Sequence, residues 1–188
     1  MILVALILVA LVFWDRLEYA QRTTGSDRER YHDKMFKVVH VVDGDTLDID
    51  LPDGEKEVTR IRLWGVDTPE TRHPKKAVMH FGPEASAFTK EVTLHQQVRI
   101  MLEPYEQTRG RYGRLLAYVL LPDGAILNER LLTEGYAYAD HRFDHVYKKR
   151  FEQLQKEAKK EKRGLWEKAK PSDWPDWYRR RHDPDKKN

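Results

Sequence analysis

Asp45 to Leu51 alternates polar with apolar residues, and beyond Pro52-Asp53-Gly54 the chain returns as a further strand, Val58 to Val66. A period of two belongs to strands with one buried face, and Pro-Asp-Gly between two strands is a turn. In the second segment Ile61 and Leu63 point one way and Arg60 and Arg62 the other, which sets cations on the non-core side of a sheet. Met35 to Val42, apolar and β-branched, adds a strand before this hairpin; Gln97 to Leu102 and Arg114 to Leu121 add two after it, the last followed by a second Pro-Asp-Gly at 122–124. Gly82-Pro83-Glu84 opens a helix that runs to about His95, with proline in its first turn, an acid near the positive dipole end, and Ala85, Phe88 and Val92 as its apolar stripe. Asn128 to Glu134 is a short helix stopped by Gly135. A longer one spans about Val146 to Arg163, with Tyr147, Phe151, Leu154 and Ala158 on one face and Gly164 past its end. Five short strands with about three α-helices inserted and appended predict an α+β fold built on a five-stranded OB-type β-barrel.

The ends of the chain have a different character. Met1 to Trp14 is wholly apolar and is followed at once by Asp15 and Arg16. As a helix these fourteen residues would span about 21 Å, short of the roughly 30 Å hydrocarbon core of a bilayer, so 1–14 is expected to be a signal peptide or membrane anchor. No small-x-small cleavage site follows, since Glu18 precedes Ala20 by two residues, and this favours an uncleaved apolar helix. Residues 15–34, polar and containing Gly25 and Ser26, are expected to be a linker, 35–166 the folded domain, and 167–188 a Trp-, Pro- and Arg-rich tail with no core of its own. The net charge of +3 is unevenly spread: residues 147–188 carry a surplus of +7 and the remainder −4. A basic appendage beside an acidic body suits a protein that meets a polyanion and holds a cation. The chain has no cysteine, which excludes disulfides and every thiolate site.

Three segments carry chemistry. Asp43-Gly44-Asp45-Thr46 sets two carboxylates beside a flexible glycine, as a turn or as a hard-cation site. Arg62 stands on a strand, and Asp67 and Glu70 follow on the loop that leaves it, stiffened by Pro69. Arg109-Gly110-Arg111-Tyr112-Gly113-Arg114 is a glycine-broken basic turn with an aromatic ring, suited to a phosphate with a base stacked beside it. Together they supply what phosphodiester hydrolysis needs: guanidiniums to clamp a phosphate, carboxylates for a divalent ion, and a glutamate to activate water.

From about Lys37 to Trp166 the chain resembles the staphylococcal nuclease family. The likeness rests on Asp43-Gly44-Asp45-Thr46, Val66-Asp67-Thr68-Pro69-Glu70-Thr71 followed by His73-Pro74-Lys75-Lys76, Gly82 to Lys90, Tyr112-Gly113-Arg114 with Leu116-Ala117-Tyr118, and Lys159 to Lys162. The resemblance implies an OB-type barrel with three helices and a calcium-dependent endonuclease that hydrolyses DNA and RNA with little sequence specificity, leaving 3′-phosphate and 5′-hydroxyl ends. By motif it implies one Ca2+ per domain held by Asp45, Asp67 and the Thr68 carbonyl, with Asp43 outside them. Arg62 and Arg114 would hold the phosphate, Glu70 would serve as general base, and Arg111 and Tyr112 would face the nucleotide.

The chain departs from the family pattern after the second helix, where two tyrosines are expected against the base. The matching positions here are His141 and Phe143, leaving Tyr138 or Phe143 to stack. Gly65 replaces a larger apolar residue of the family pattern. His141 and His145, four apart, have the spacing of a metal pair, but no third ligand is apparent. A catalytically inactive, membrane-tethered nucleic-acid-binding OB module is the competing expectation; Asp45, Asp67 and Glu70 argue against it, because they repel the phosphates a mere binder must hold. No obligate protein partner is evident, and a monomer is expected. The basic residues after the apolar segment favour a cytoplasmic domain by the positive-inside tendency. Scarce cytosolic calcium and the danger of an unregulated nuclease to the cell's own RNA weigh more, so an extracytoplasmic domain is expected, anchored or secreted.

Overall fold

Thr46–Ile49 (β2) and Thr59–Leu63 (β3) pair antiparallel in register, Thr46 opposite Arg62 and Ile49 opposite Thr59. The computed structural model describes residues 26–71 and 79–182, so the apolar segment 1–14 and the motif residues 73–76 lie outside the described residues. Lys34–Asp43 (β1) pairs with β2 on one side and Gln97–Met101 (β5) on the other. Leu115–Leu120 (β6) joins β5 antiparallel and β3 parallel, closing a barrel in the order β1-β2-β3-β6-β5. Leu47, Ile49, Ile61, Leu63, Val98, Ile100 and Leu115 fill it, the inward half of each alternating strand. A two-residue pair, Val66–Asp67 (β4) with Tyr138–Ala139 (β7), lies outside the barrel. The helices are Gly82–Thr93 (α1), Leu127–Thr133 (α2), Lys148–Lys160 (α3) and Asp176–His182 (α4). The fold is the expected OB-type α+β barrel; among the described residues two α-helices, α4 and one at 26–31, go beyond the three that the sequence indicates. No helix among the described residues is long and apolar enough to cross a membrane.

Both presumed appendages are packed where they are described. Residues 26–31 are helical, and Tyr31 is fully buried with its hydroxyl 3.0 Å from Thr59 Oγ1, so the expected linker is part of the domain from residue 26. Asp27 on this helix accepts bonds from Arg109 at 2.7 and 2.8 Å and from the Thr108 hydroxyl at 2.7 Å. Arg109 also reaches Asp53 in the β2–β3 turn at 2.5 Å. Burial works against its charge, but the bonds to Asp27 and Asp53 hold its pKa above the usual arginine value. Arg109 therefore fastens the N-terminal helix and the hairpin turn to the barrel instead of facing a phosphate. Arg109→Ala leaves two mostly buried carboxylates unpaired and should cost about 3–5 kcal/mol of stability, readable from urea unfolding.

At the other end, Tyr178 of α4 is buried against Tyr138, Trp166 and Trp174, and its ring stacks on His182 at 4.0 Å. The tail thus completes a small second core around Ala158 and Leu165. An aromatic cluster of this kind gains both from buried area and from edge-to-face geometry, which offsets the entropy of ordering a terminal segment.

Candidate active site

Asp43, at the end of β1, and Asp45 flank Gly44, and the glycine is what lets the Asp67-Thr68 loop approach. A Cβ at position 44 would lie 2.8 Å from the Thr68 side chain. The Thr89 hydroxyl of α1 donates to the Gly44 carbonyl at 2.6 Å and pins this turn. With the two segments in contact, the Thr68 N–H donates to Asp45 Oδ2 at 2.9 Å, and the Asp45 N–H to Asp43 Oδ1 at 3.2 Å.

Arg62 stands between the acids. Its guanidinium lies 2.6 Å from Asp45 Oδ2 and 2.6 Å from Asp67 Oδ1, donates to the Val66 carbonyl at 2.9 Å, and is only 13% exposed. Burial disfavours its charge, but Asp45, Asp67 and Asp43 more than offset this and raise its pKa. Arg114, just before β6, comes alongside because β6 runs parallel to β3; its Nη1 is 3.4 Å from Thr46 Oγ1. Burial and the neighbouring Arg62 both lower its pKa, so Arg114 is a cation in want of an anion.

The carboxylates show the opposite deficit. Burial, and then Asp45 beside it, pushes Asp43 up to about 7. Burial likewise raises Asp67 to about 6, with Asp45 and Asp140 adding to the effect and Arg62 and a bond from Trp177 working against it. Asp43, Asp45 and Asp67 thus crowd three carboxyls against Arg62, a surplus of oxygen donors, while Asp140 is paired with Arg142. An all-oxygen donor set with such a surplus fits a hard divalent cation. Among the described residues no three His, Cys, Asp or Glu side chains converge as a ready-made cage. A cation would therefore take Asp45 and Asp67 with backbone carbonyl and water oxygens, in competition with Arg62 for the same carboxylates.

Two clefts open from this centre. One, of about 480 Å³, is lined by Arg62, Arg111, Tyr112, Arg114, Arg142 and Phe143. Tyr112 is 73% exposed with the Arg111 and Arg114 guanidiniums near its ring, and Phe143 packs on Trp64 with ring centroids 5.3 Å apart. The second, of about 440 Å³, has Asp67, Thr68 and Glu70 on one side. Glu70 is held in place by the loop, its carbonyl accepting from the Met79 N–H at 2.9 Å where the start of α1 packs on residues 69–71.

The structure thus brings together Asp43, Asp45, Arg62, Asp67, Thr68 and Arg114, with Glu70, Arg111 and Tyr112 around them. It does not bring Tyr138. Expected to face the nucleotide, Tyr138 is 1% exposed and enclosed by Trp166, Trp177 and Tyr178, so its ring has no face left for a base. Three residues join the site without a sequence signal. Asp140 is carried there by the β4–β7 pair, Arg142 bonds Asp140 at 2.6 Å and sits 3.6 Å from Asp67, and the Trp177 indole donates to Asp67 Oδ2 at 2.7 Å.

His141 and His145 do not form a pair. His141 packs on Trp177 and His182, whereas His145 turns inward against Phe151, with burial lowering its pKa to about 4 and neither ring nitrogen bonded among the described residues. Its imidazole fills the space beside Gly65, where a Cβ would lie 2.5 Å from the ring and φ is +74°. Gly65→Ala combines left-handed strain with overpacking and should cost about 2–4 kcal/mol. Adding His145→Ala should recover the packing part alone, a difference that denaturant titration of both variants measures.

Comparison with known proteins agrees with this geometry. A family model described as staphylococcal nuclease homologue matches residues 60–168. The thermonuclease of Staphylococcus hyicus is 44% identical over 136 residues, covering 72% of this chain and 77% of that protein. The chain belongs to the staphylococcal nuclease family. The thermonuclease of Staphylococcus intermedius is 44% identical over 135 residues (71% and 77%), and endonuclease YncB of Bacillus subtilis 33% over 158 residues (81% and 72%). The protein is accordingly a nuclease, a phosphodiester hydrolase.

Proposed function

We propose that this nuclease is a calcium-dependent, sugar-nonspecific endonuclease, active as a monomer with one Ca2+ per domain, that cleaves DNA and RNA to 3′-phosphate and 5′-hydroxyl ends. The observation that carries the reading is the convergence of two guanidiniums and an under-neutralised group of aspartates at the junction of two clefts. Asp45, Asp67 and the Thr68 carbonyl would hold the cation, with Asp43 behind them. When bound, it supplies positive charge to the phosphate oxygens and to the attacking water. Arg62 and Arg114 clamp the phosphate from the barrel surface, a fork that carboxylates and phosphates both fit. Glu70, on the loop beside Asp67, takes the proton from the water as it attacks, and the 5′-oxygen leaves. Tyr112 and Arg111 flank the nucleotide, and Phe143 takes the stacking role for which Tyr138 is too buried. None of these groups reads a ribose hydroxyl, so both sugars are accepted.

The domain acts on the outer side of the membrane, tethered by or released from residues 1–14, where calcium is plentiful and cellular RNA is absent. Incubation of the full chain with single-stranded DNA and with RNA at millimolar calcium should cut both, and a chelator should stop both. A folded protein that stays inactive in calcium would sink the reading, and activity with manganese or zinc alone would move the metal assignment. For location, protease added to intact cells should digest the domain; protection until lysis would set it on the inner side.

A further inference from the structure

The second cleft has an unexpected wall. Across from Asp67, Thr68 and Glu70 it is lined by the tail: Trp174, Trp177, Arg179 and Arg180. That wall is built into the fold, because Tyr178 between those residues is buried and the Trp177 indole is bonded to Asp67. Arg142 forms a ridge between the two clefts, lining both and lying over the Trp177 ring at 4.5 Å. A phosphodiester held at Arg62 and Arg114 has one neighbouring nucleotide in the first cleft. The strand on its other side has to cross the ridge and enter the second.

We propose that the C-terminal segment 171–182 is the outer wall of a subsite for the flanking nucleotides of a single strand, in which Arg142, Arg179 and Arg180 meet phosphates and the tryptophans meet bases. The proposal rests on the nuclease site described above and extends it to a segment outside the barrel. Arg180 stands there with Arg142 and Arg179, which are paired with Asp140 and with Asp176 of the same cleft at 2.6 Å and would exchange those carboxylates for phosphates; beside partly buried indoles and continuous with a phosphodiester-cleaving centre, they take a polynucleotide strand in a sequence-tolerant way.

The test is fluorescence anisotropy of a labelled single-stranded DNA of about ten nucleotides, with the full chain in excess chelator so that nothing is cut. R179A/R180A should bind about tenfold more weakly, with a log–log salt dependence shallower by about 1.4, two contacts of a single strand. K149A/K160A, exposed lysines of α3 that are not among the residues lining the cleft, removes the same charge and should do much less. Equal weakening by both pairs would reduce the effect to diffuse charge and overturn the proposal. So would unchanged binding by R179A/R180A, or a loss confined to phosphatidylglycerol-containing vesicles, which would assign the wall to a membrane surface. A parent chain that binds the strand but never cleaves it in calcium would defeat the catalytic reading and leave the subsite standing.

Discussion

Arg62→Ala should lower kcat by about 10³ or more while changing substrate affinity far less, because a guanidinium clamped on a phosphate gains most as charge builds in the transition state. The same substitution should have a second effect that an exposed arginine would not produce. Arg62 is the cation between Asp45 and Asp67; without it the buried Asp45 loses its ion pair, and Asp67 keeps only the more distant Arg142 at 3.6 Å. Breaking such a buried pair from one side costs about 3–5 kcal/mol, so the calcium-free variant should melt well below the parent. Calcium should restore much of that loss by mass action, since binding to the folded state alone stabilises it. The two readouts separate the roles. Turnover within tenfold of the parent would remove Arg62 from the mechanism, and an unchanged melting temperature without calcium would mean that the ion pairs contribute nothing in solution. Arg62→Lys should keep most of the stability and lose most of the rate, because an ammonium cannot span two oxygens as the planar fork does.

Glu70→Gln should cost on the order of 10² to 10⁴ in turnover, the range for a positioned general base. The change is nearly isosteric, and Glu70 lies on the wall of the second cleft, so calcium affinity and fold should persist. Calorimetric titration of calcium beside steady-state kinetics tests both parts. A turnover loss under tenfold with calcium affinity intact would move the base elsewhere. A loss that follows weakened calcium binding would make Glu70 a ligand.

What the sequence made legible was whatever local periodicity could encode. The β2–β3 hairpin and the outward side of Arg62 follow from alternation and a turn, and both are found. The end of β3 was less legible: the sequence suggests a strand to Val66, but it stops at Leu63 because Gly65 turns with φ +74° to make room for His145, eighty positions later. Arg109 looks like part of a phosphate-binding turn until Asp27 is seen beside it, a partner 82 residues away. Tyr138 reads as a substitute for the base-facing tyrosines, whose own positions match His141 and Phe143, and only the docked tail explains its burial. In the tail itself Trp174, Trp177 and Tyr178 have the i, i+3, i+4 spacing of a helical stripe, but over a stretch this short and broken by Pro175 the spacing names no partner. Their partners Trp166, Tyr138 and Asp67 are assembled from three separate parts of the chain.

The parallel pairing of β3 with β6 bears on the history of each molecule. Arg62 and Leu116 are neighbours in the sheet but more than about fifty residues apart in the chain, and Arg114 reaches the site only when that contact forms. Contacts of such long range are late events in folding, because the entropy of closing the intervening loop has to be met first. A growing chain also presents its N-terminal half first. Ribosome-bound and partly folded forms therefore carry the acidic loop and one guanidinium but no phosphate clamp. The complete phosphate clamp is expected only once the barrel has closed.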